Sequence, residues 1–548
     1  MTAILNDLQK LSGTAFKTEI EQLLNKYDYF NIQRKKTKDK EGNETEIIDG
    51  VRFDHLKIVQ RLQELGYCAY FLNDVIHLLL IEDNKAELTD SDKIGVNIAR
   101  LFRSAPDELP NGVRKNTIVN QFLKDEEKFF KKSLYKHLEN VNSSIEFYSD
   151  TISAAHFFYS NCIVKVTANK IETLPYSDQD KIVWKSQIHD REFTPVSNFD
   201  KCNWAKFMTN ISGKGNEQRN NAFKSITGYL LHKYFDDKRR AIYITDGRIS
   251  EYSDGRSGKT LWIRGIGRML NRSLKEDKVF IELSGKNFDV TSNTKYQYCS
   301  LETSLIHIND IIGSGRDALK IDRLYCDISD GVTIRQLYKA PFTIDSKFVI
   351  SGNKSIELNG GSDKDRVIQI ELADHYNSDY SPENEFKQWF FRDWNEAEFN
   401  QFDNYMINCV QFYLKHGLNT PESILLDEIK LHNETCAEFI YYMDDINIIQ
   451  FAGKKISKKQ LYDRFLKRYP DQEKWLTTRR FTTFLRKYCD YTPELLSHST
   501  FKGDRSSKFE PRNQAADICL EDPNGYTVPT GDCFIFHLNT EKNDESNI

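Results

Sequence analysis

Between residues 241 and 372, five short apolar runs alternate with stretches of helical spacing: AIYIT (241–245), VFIELS (279–284), SLIHIND (304–310), KFVISGN (347–353) and RVIQIEL (366–372). A chain that alternates strand and helix in this way folds as an α/β layer structure, with its helices packed on a sheet. One loop inside the block carries chemistry. Gly255-Arg256-Ser257-Gly258-Lys259-Thr260 reads GRSGKT and opens the helical run LWIRGIGRML. Glycines let backbone N–H groups close on a phosphate, a lysine reaches its outer oxygens, and a threonine hydroxyl can ligate magnesium. The loop departs from the full GxxxxGK[ST] pattern, because Ser253 stands where the first glycine belongs. An ordinary glycine-rich turn can produce the same short string, so its context has to decide.

About fifty residues on, SLIHIND ends in Asn309-Asp310, the form of a strand that positions magnesium and an attacking water. KFVISGN ends in Asn353, an amide suited to contact a γ-phosphate. Taken singly, each is also what a buried strand stopped by a polar turn looks like. In this order and spacing, the three elements point to a nucleotide-hydrolysing core in which Thr260 and Asp310 are placed to ligate Mg²⁺.

The chain has 548 residues, enough for roughly three or four units. The sequence divides into an N-terminal α+β unit (1–120), an accessory β-containing unit (121–205), the α/β block (206–420) and a C-terminal unit (421–548). In the first, QRKKTKDKEGNETE reads as a loop and HLKIVQRLQELG as a helix ending at Gly66. Neither a strand-borne acidic cluster nor a zinc ribbon marks that unit as a primer-synthesising one. In the second, HFFYSNCIVKVTANKIETLPY predicts β-hairpins.

The net charge of −5 excludes a uniformly basic coat protein, but the charge is segregated. Residues 421–450 carry seven acids and one base, a net of −6; residues 454–488 carry twelve bases and three acids, a net of +9. Within the basic stretch SKKQLYDRFLKRYP and LTTRRFTTFLRKY predict two helices, and SHSTFKGDRSSKFE a wing. Lys458, Lys459, Arg479 and Arg480 are the candidates for phosphate contacts with duplex or forked DNA, and the interleaved aromatics are assigned to the core of the unit. The final NTEKNDESNI is expected to be a disordered tail. Ten scattered cysteines without a CxxC pair suggest reduced thiols, and no apolar run approaches the ~20 residues that span a bilayer. The expectation is a cytoplasmic protein with no membrane partner.

From about Gln218 to Pro421 the sequence resembles superfamily 3 helicases of the phage and poxvirus primase-helicase type, especially versions from phages and mobile elements of Bacteroides-like bacteria. The segments that carry this are GYLLHKYFDDKRRAIYITDGRISEYSDGRSGKTLW, SLIHINDI, SDGVTIRQLYKAPFTIDSKFVISGNKSIELNGGSDKDRVIQIELADHYN and FKQWFFRDWNEAEFNQFDNYMINCVQFYLKHGL. The resemblance implies a multidomain α/β protein with an AAA+-like core, N-terminal α+β domains and a C-terminal winged helix. It implies an ATP-dependent helicase acting in DNA replication in the bacterial host cytosol. Such a protein forms a hexameric ring on single-stranded DNA, moves 3′ to 5′, and works beside a primase or host replication proteins.

Carried over residue by residue, Gly255, Gly258, Lys259 and Thr260 match the phosphate loop, Asn309 and Asp310 the acidic pair, and Asn353 the sensor. Arg366 matches an arginine finger acting on a neighbouring subunit; a strand-edge arginine paired with Asp363 or Asp365 is the plainer alternative. Arg335 and Lys339 fall in the region of the DNA-contacting hairpin. Asn309 stands where the family has an acid, which removes a negative charge beside the expected magnesium. That departure keeps open an ATP-dependent initiator or loader that does not unwind. A DNA-packaging motor is the weaker third choice.

Overall fold

The computed structural model describes residues 13–38, 42–72, 75–129, 131–178, 180–236, 238–247, 256–271, 278–311, 319–337, 340–353, 355, 356, 358, 361–423, 426–453, 456–492, 494–501 and 532–538. The protein is a multidomain α/β molecule built on a parallel sheet. The elements that frame that sheet are helices α1 (Asn203–Gly213) and α2 (Glu217–Leu231), strand β1 (Ala241–Asp246), helix α3 (Lys259–Leu270), strands β2 (Phe280–Ser284) and β3 (Leu305–Ile311), and helix α4 (Tyr325–Asp330). The hairpin β4 (Val332–Ile334) and β5 (Phe342–Ile344) follows, then β6 (Lys347–Gly352), α5 (Gly361–Arg366), β7 (Val367–Leu372) and the long helix α6 (Glu396–His416).

All five apolar runs are strands of one parallel sheet in the order β2–β3–β6–β1–β7. β1, β6 and β7 are buried at every position, as strands covered on both faces must be. Successive side chains point to opposite faces. Ile242, Ile244, Val349, Ile368 and Ile370 meet Phe223, Trp262 and Phe402 from the helices on one side. Tyr243, Ile306, Ile308 and Ile350 meet Leu324, Ile328 and the hairpin residues Ile334 and Phe342 on the other. Trp262 stacks on Phe223 at 4.8 Å and donates from Nε1 to Thr227 Oγ1 (3.0 Å), fixing α3 against α2. Such a ring pair adds about 1 kcal/mol beyond its buried area. Gly228 lets α2 and α6 cross closely, since a Cβ there would lie 2.1 Å from the Cys409 carbonyl oxygen. Asn271, just past α3, holds the start of β2 by accepting from the Val279 and Phe280 amides and donating to the Phe280 carbonyl.

The N-terminal part differs from the sequence reading in two places. QRKKTKDKEGNETE is not a loop: it lies largely within an antiparallel ribbon, Phe30–Lys38 against Glu44–Phe53. The ribbon's outer half is solvated and is held by cross-strand pairs such as Arg34–Glu46 (3.7 Å) and Lys36–Glu44 (3.6 Å), so it carries no apolar alternation to betray it. In addition, the helix Lys115–Phe129 runs across residue 120, and Phe122, Leu134 and Leu138 join the core of Tyr29, Phe53 and Phe102. That first core therefore continues to residue 138. HLKIVQRLQELG is a helix, His55–Glu64, capped by Asp54 and followed by Gly66 at φ +87°.

The hairpins of the accessory region form a three-stranded meander, Ala154–Phe158, Ile163–Thr167 and Ile171–Leu174. Its inner face joins the same core as α1, α2 and α6. Arg191 clamps Asp403 of α6 through two hydrogen bonds, 2.7 and 2.6 Å, with Asp403 fully buried. Removing one member of such a buried pair costs about 3–5 kcal/mol, so this region is fastened to the sheet domain.

At the C-terminal end, a short strand β8 (Ile456–Ser457) leads into α7 (Lys458–Arg468) and α8 (Thr478–Tyr491), and then β9 (Leu495–Phe501) and β10 (Cys533–Leu538). These strands pair antiparallel in the order β8–β10–β9. Leu461, Phe465, Phe481, Phe484 and Phe536 form the core. The tail NTEKNDESNI and most of the expected wing tip lie outside the described residues. The cysteines among the described residues are free thiols, and no helix among those residues is long and apolar enough to cross a membrane.

Candidate functional site

The C-terminal ends of β1, β3 and β6 converge on one edge of the sheet, and α3 starts there. Gly258 precedes α3 at φ +100°, where a side chain would also press on Phe207 at 3.1 Å. It has no side chain with which to cap the first N–H groups of α3, which therefore stay available to an anion at a helix N-terminus. Arg256 also has positive φ (+63°) and is exposed; Thr260 is half-buried in the first turn. Gly255 lies outside the described residues.

Lys259 is buried and forms an ion pair with Asp246, the last residue of β1. Ser257, also buried, donates its hydroxyl to the same carboxylate. Lys259 Nζ also lies 3.5 Å from Asn353 Oδ1, and Asn353 Nδ2 lies 3.3 Å from Asp310 Oδ1. Three residues far apart in the chain, Lys259, Asn353 and Asp310, thus form one contiguous polar chain. The strand order explains it: β6, which ends just before Asn353, lies between β1 and β3. Asp310 adopts φ +61°, and the pairing of β3 with β6 slips between Ile308 and Ile311. Aspartate is among the few residues that tolerate this conformation, and a bulge re-aims side chains at a sheet edge. Asp310 is also paired with Lys286 of the turn after β2 (2.8 Å), which pushes the lysine's pKa up by hydrogen bonding and charge attraction.

Asn309 belongs to a second polar group that sequence reading missed. Its Nδ2 donates to Glu282 Oε1 on β2 (3.1 Å), and its Oδ1 accepts from Ser351 Oγ on β6 (3.0 Å). Fully buried His307 completes a ring through Glu282 Oε2 (3.3 Å) and Ser351 Oγ (2.9 Å). Burial lowers the pKa of His307, and the hydrogen bond from His307 is the largest cause lowering that of Glu282. In the neutral ring, Nδ1–H donates to Glu282 and Nε2 accepts from the Ser351 hydroxyl, which otherwise serves Asn309. The available signal was that Glu282 and His307 interrupt apolar runs, with His307 and Asn309 two apart on one strand face.

Arg366 sits at the other end of the sheet, since Val367 pairs with Ala241 at the start of β1. Its Nε donates to Ser329 Oγ (3.1 Å) and its guanidinium lies 5.4 Å from the Tyr325 ring centroid. A six-residue strand, roughly 20 Å, separates it from the end of β1 and the glycine-led start of α3 in its own chain. Arg335 is exposed just after β4, where Gln336 holds the hairpin to the carbonyls of Gln297 and Cys299 (3.0 and 3.2 Å). Lys339 lies outside the described residues. Lys459, Arg479 and Arg480 are exposed on α7 and α8, and Lys458 is half-buried. Arg480 lies over the Trp475 ring at 4.6 Å.

The donor set fits magnesium and a nucleotide: a hydroxyl (Thr260) and a carboxylate (Asp310) offer hard oxygen ligands, with the phosphates supplying the rest. Among the described residues there is no group of three or more His, Cys, Asp or Glu that could hold a metal ion.

No protein-family model matches this chain, and no curated protein matches it. Solved structures do match. The A form of the apo NrS-1 C-terminal region is 12% identical with a TM-score of 0.36, over 73% of this chain and 80% of that one. A second apo structure of that region is 10% identical with a TM-score of 0.37, over 79% and 89%. At these values the function has to be argued from the site.

Proposed function

We propose that this protein is an ATP-dependent DNA helicase of the superfamily 3 type, acting in the replication of a phage or mobile element. The observation that carries it is the chain Lys259–Asn353–Asp310 at the C-terminal edge of a parallel sheet, beside a glycine-led helix N-terminus. ATP binding exchanges partners: Lys259 leaves Asp246 for the outer phosphates, and the first N–H groups of α3 close on them. Thr260 and Asp310 would hold magnesium, which when bound would neutralise phosphate charge. Asn353 touches both Lys259 and Asp310, so it registers whether a γ-phosphate stands between them.

Arg366 is too far from its own phosphate loop to act on it, which supports a role toward a neighbouring subunit's nucleotide in a hexameric ring. The hairpin carrying Arg335 and Lys339 grows from the strand pair just before β6, so movement at Asn353 is transmitted to it through β6. Translocation on single-stranded DNA, 3′ to 5′, is what the family resemblance implies. The basic helices α7 and α8, with the antiparallel β8–β10–β9 sheet, are the parts of a winged helix; Lys458, Lys459, Arg479 and Arg480 would grip duplex or forked DNA.

Asn309 favours a second reading, an initiator or loader that binds ATP without processive unwinding. A forked-DNA unwinding assay on wild type and Lys259→Ala separates the two. The expected result is ATP-dependent strand separation by wild type and none by the variant. Unwinding that survives the substitution refutes the mechanism, and DNA-stimulated ATP turnover without strand separation favours the loader.

A further inference from the structure

Asn309 presents an amide beside Asp310, and the adjacent strand brings a carboxylate up to it. Glu282 on β2 extends past the register partner of its own position, His307, to the Asn309 amide at 3.1 Å. Its two oxygens are held by separate donors, Asn309 Nδ2 and His307 Nδ1, so the carboxylate has a fixed orientation. The side chain still keeps 35% of its surface exposed, so it is open to water. An acid at 309 would set two like charges against each other at this distance, whereas an amide donates to the acid across the strand gap. The two positions are therefore matched.

Resting on the ATPase reading above, we infer that Glu282, one strand over from Asn309, is the general base of hydrolysis. The attacking water passes its proton to the Glu282 carboxylate as its oxygen bonds to the γ-phosphorus. The bond from γ-phosphorus to the β–γ bridging oxygen breaks, and its electron pair leaves with ADP. The carboxylate lies one hydrogen bond from where an acid at 309 would project, within reach of the water directly or through one intervening water. His307 and Ser351 are positioning residues that keep Glu282 and Asn309 in register across three strands.

The test measures ATP turnover, ATP affinity and thermal unfolding for the full chain, wild type and four variants: Lys259→Ala, Glu282→Gln, Glu282→Asn, and Glu282→Asn combined with Asn309→Glu. Glu282→Gln is expected to fold and to bind ATP as wild type does, but to turn it over roughly a hundredfold more slowly or worse. The exchange pair, which sets the carboxylate at 309, is expected to recover roughly tenfold or more over Glu282→Asn alone. Turnover by Glu282→Gln within about threefold of wild type, loss of its ATP binding, or an exchange pair no better than the single variant each overturns the inference. If Lys259→Ala is inactive in the same assay, the ATPase reading survives that failure. A wild type that neither binds nor hydrolyses ATP removes both.

Discussion

Two residues that no motif names, Asp246 and Lys286, hold the charges that a magnesium nucleotide would claim. Asp246 pairs with Lys259, and Lys286 with Asp310. Lys286 is largely exposed, so solvent screens its pairing with Asp310 and leaves it weak. Lys286→Ala is accordingly expected to lower the magnesium concentration for half-maximal ATP turnover by up to about fivefold, measured by titration at saturating ATP. An increased magnesium requirement would mean that the lysine assists the phosphates instead. Lys259, Asp310 and Asn353 were legible because each ends an apolar run or opens a helix. Asp246, Glu282, His307 and Ser351 were not, because a polar residue inside or at the end of a strand declares its partner only when the neighbouring strand is known.

At the scale of elements, burial decided what could be read. All five strands of the central sheet are built mainly on apolar residues, so apolar content and length located them. The ribbon of residues 30–53 escaped because its outer half faces water and is stabilised by charge pairs, which look like loop composition. α2 and α6 show the converse: their pairing depends on Gly228, which reads as a weak point within a helix until its contact with the Cys409 carbonyl is seen. Gly228→Ala is expected to destabilise the protein by about 1–3 kcal/mol, because backbone must move to admit the methyl group. A fall in the thermal unfolding midpoint checks this; an unchanged midpoint would show that α6 can shift freely.

At the scale of the molecule, the two ends of the sheet carry different candidate groups. The phosphate loop lies at the C-terminal edge, and Arg366 at the N-terminal edge of the same strands. If Arg366 completes a neighbour's site, Arg366→Ala and Lys259→Ala proteins, each inactive alone, should regain part of the wild-type ATP turnover when mixed. Each mixed interface that joins an intact lysine to an intact arginine is then whole. Mixtures that stay inactive, in a preparation shown to exchange subunits, would remove the role given to Arg366.

The sequence by itself determined which segments become the strands of the central sheet, where the glycine-led loop opens a helix, and that positive charge collects at 454–488. These follow from local spacing, from side-chain type and from counting. Only the tertiary structure decided the strand order β2–β3–β6–β1–β7. That order sets Asn353 between Lys259 and Asp310, brings Glu282 to Asn309 and puts Arg366 a strand's length from Lys259. Strand order is a choice among long-range pairings that similar apolar runs satisfy almost equally well, and it is settled by how helices and connections pack over both faces of the sheet.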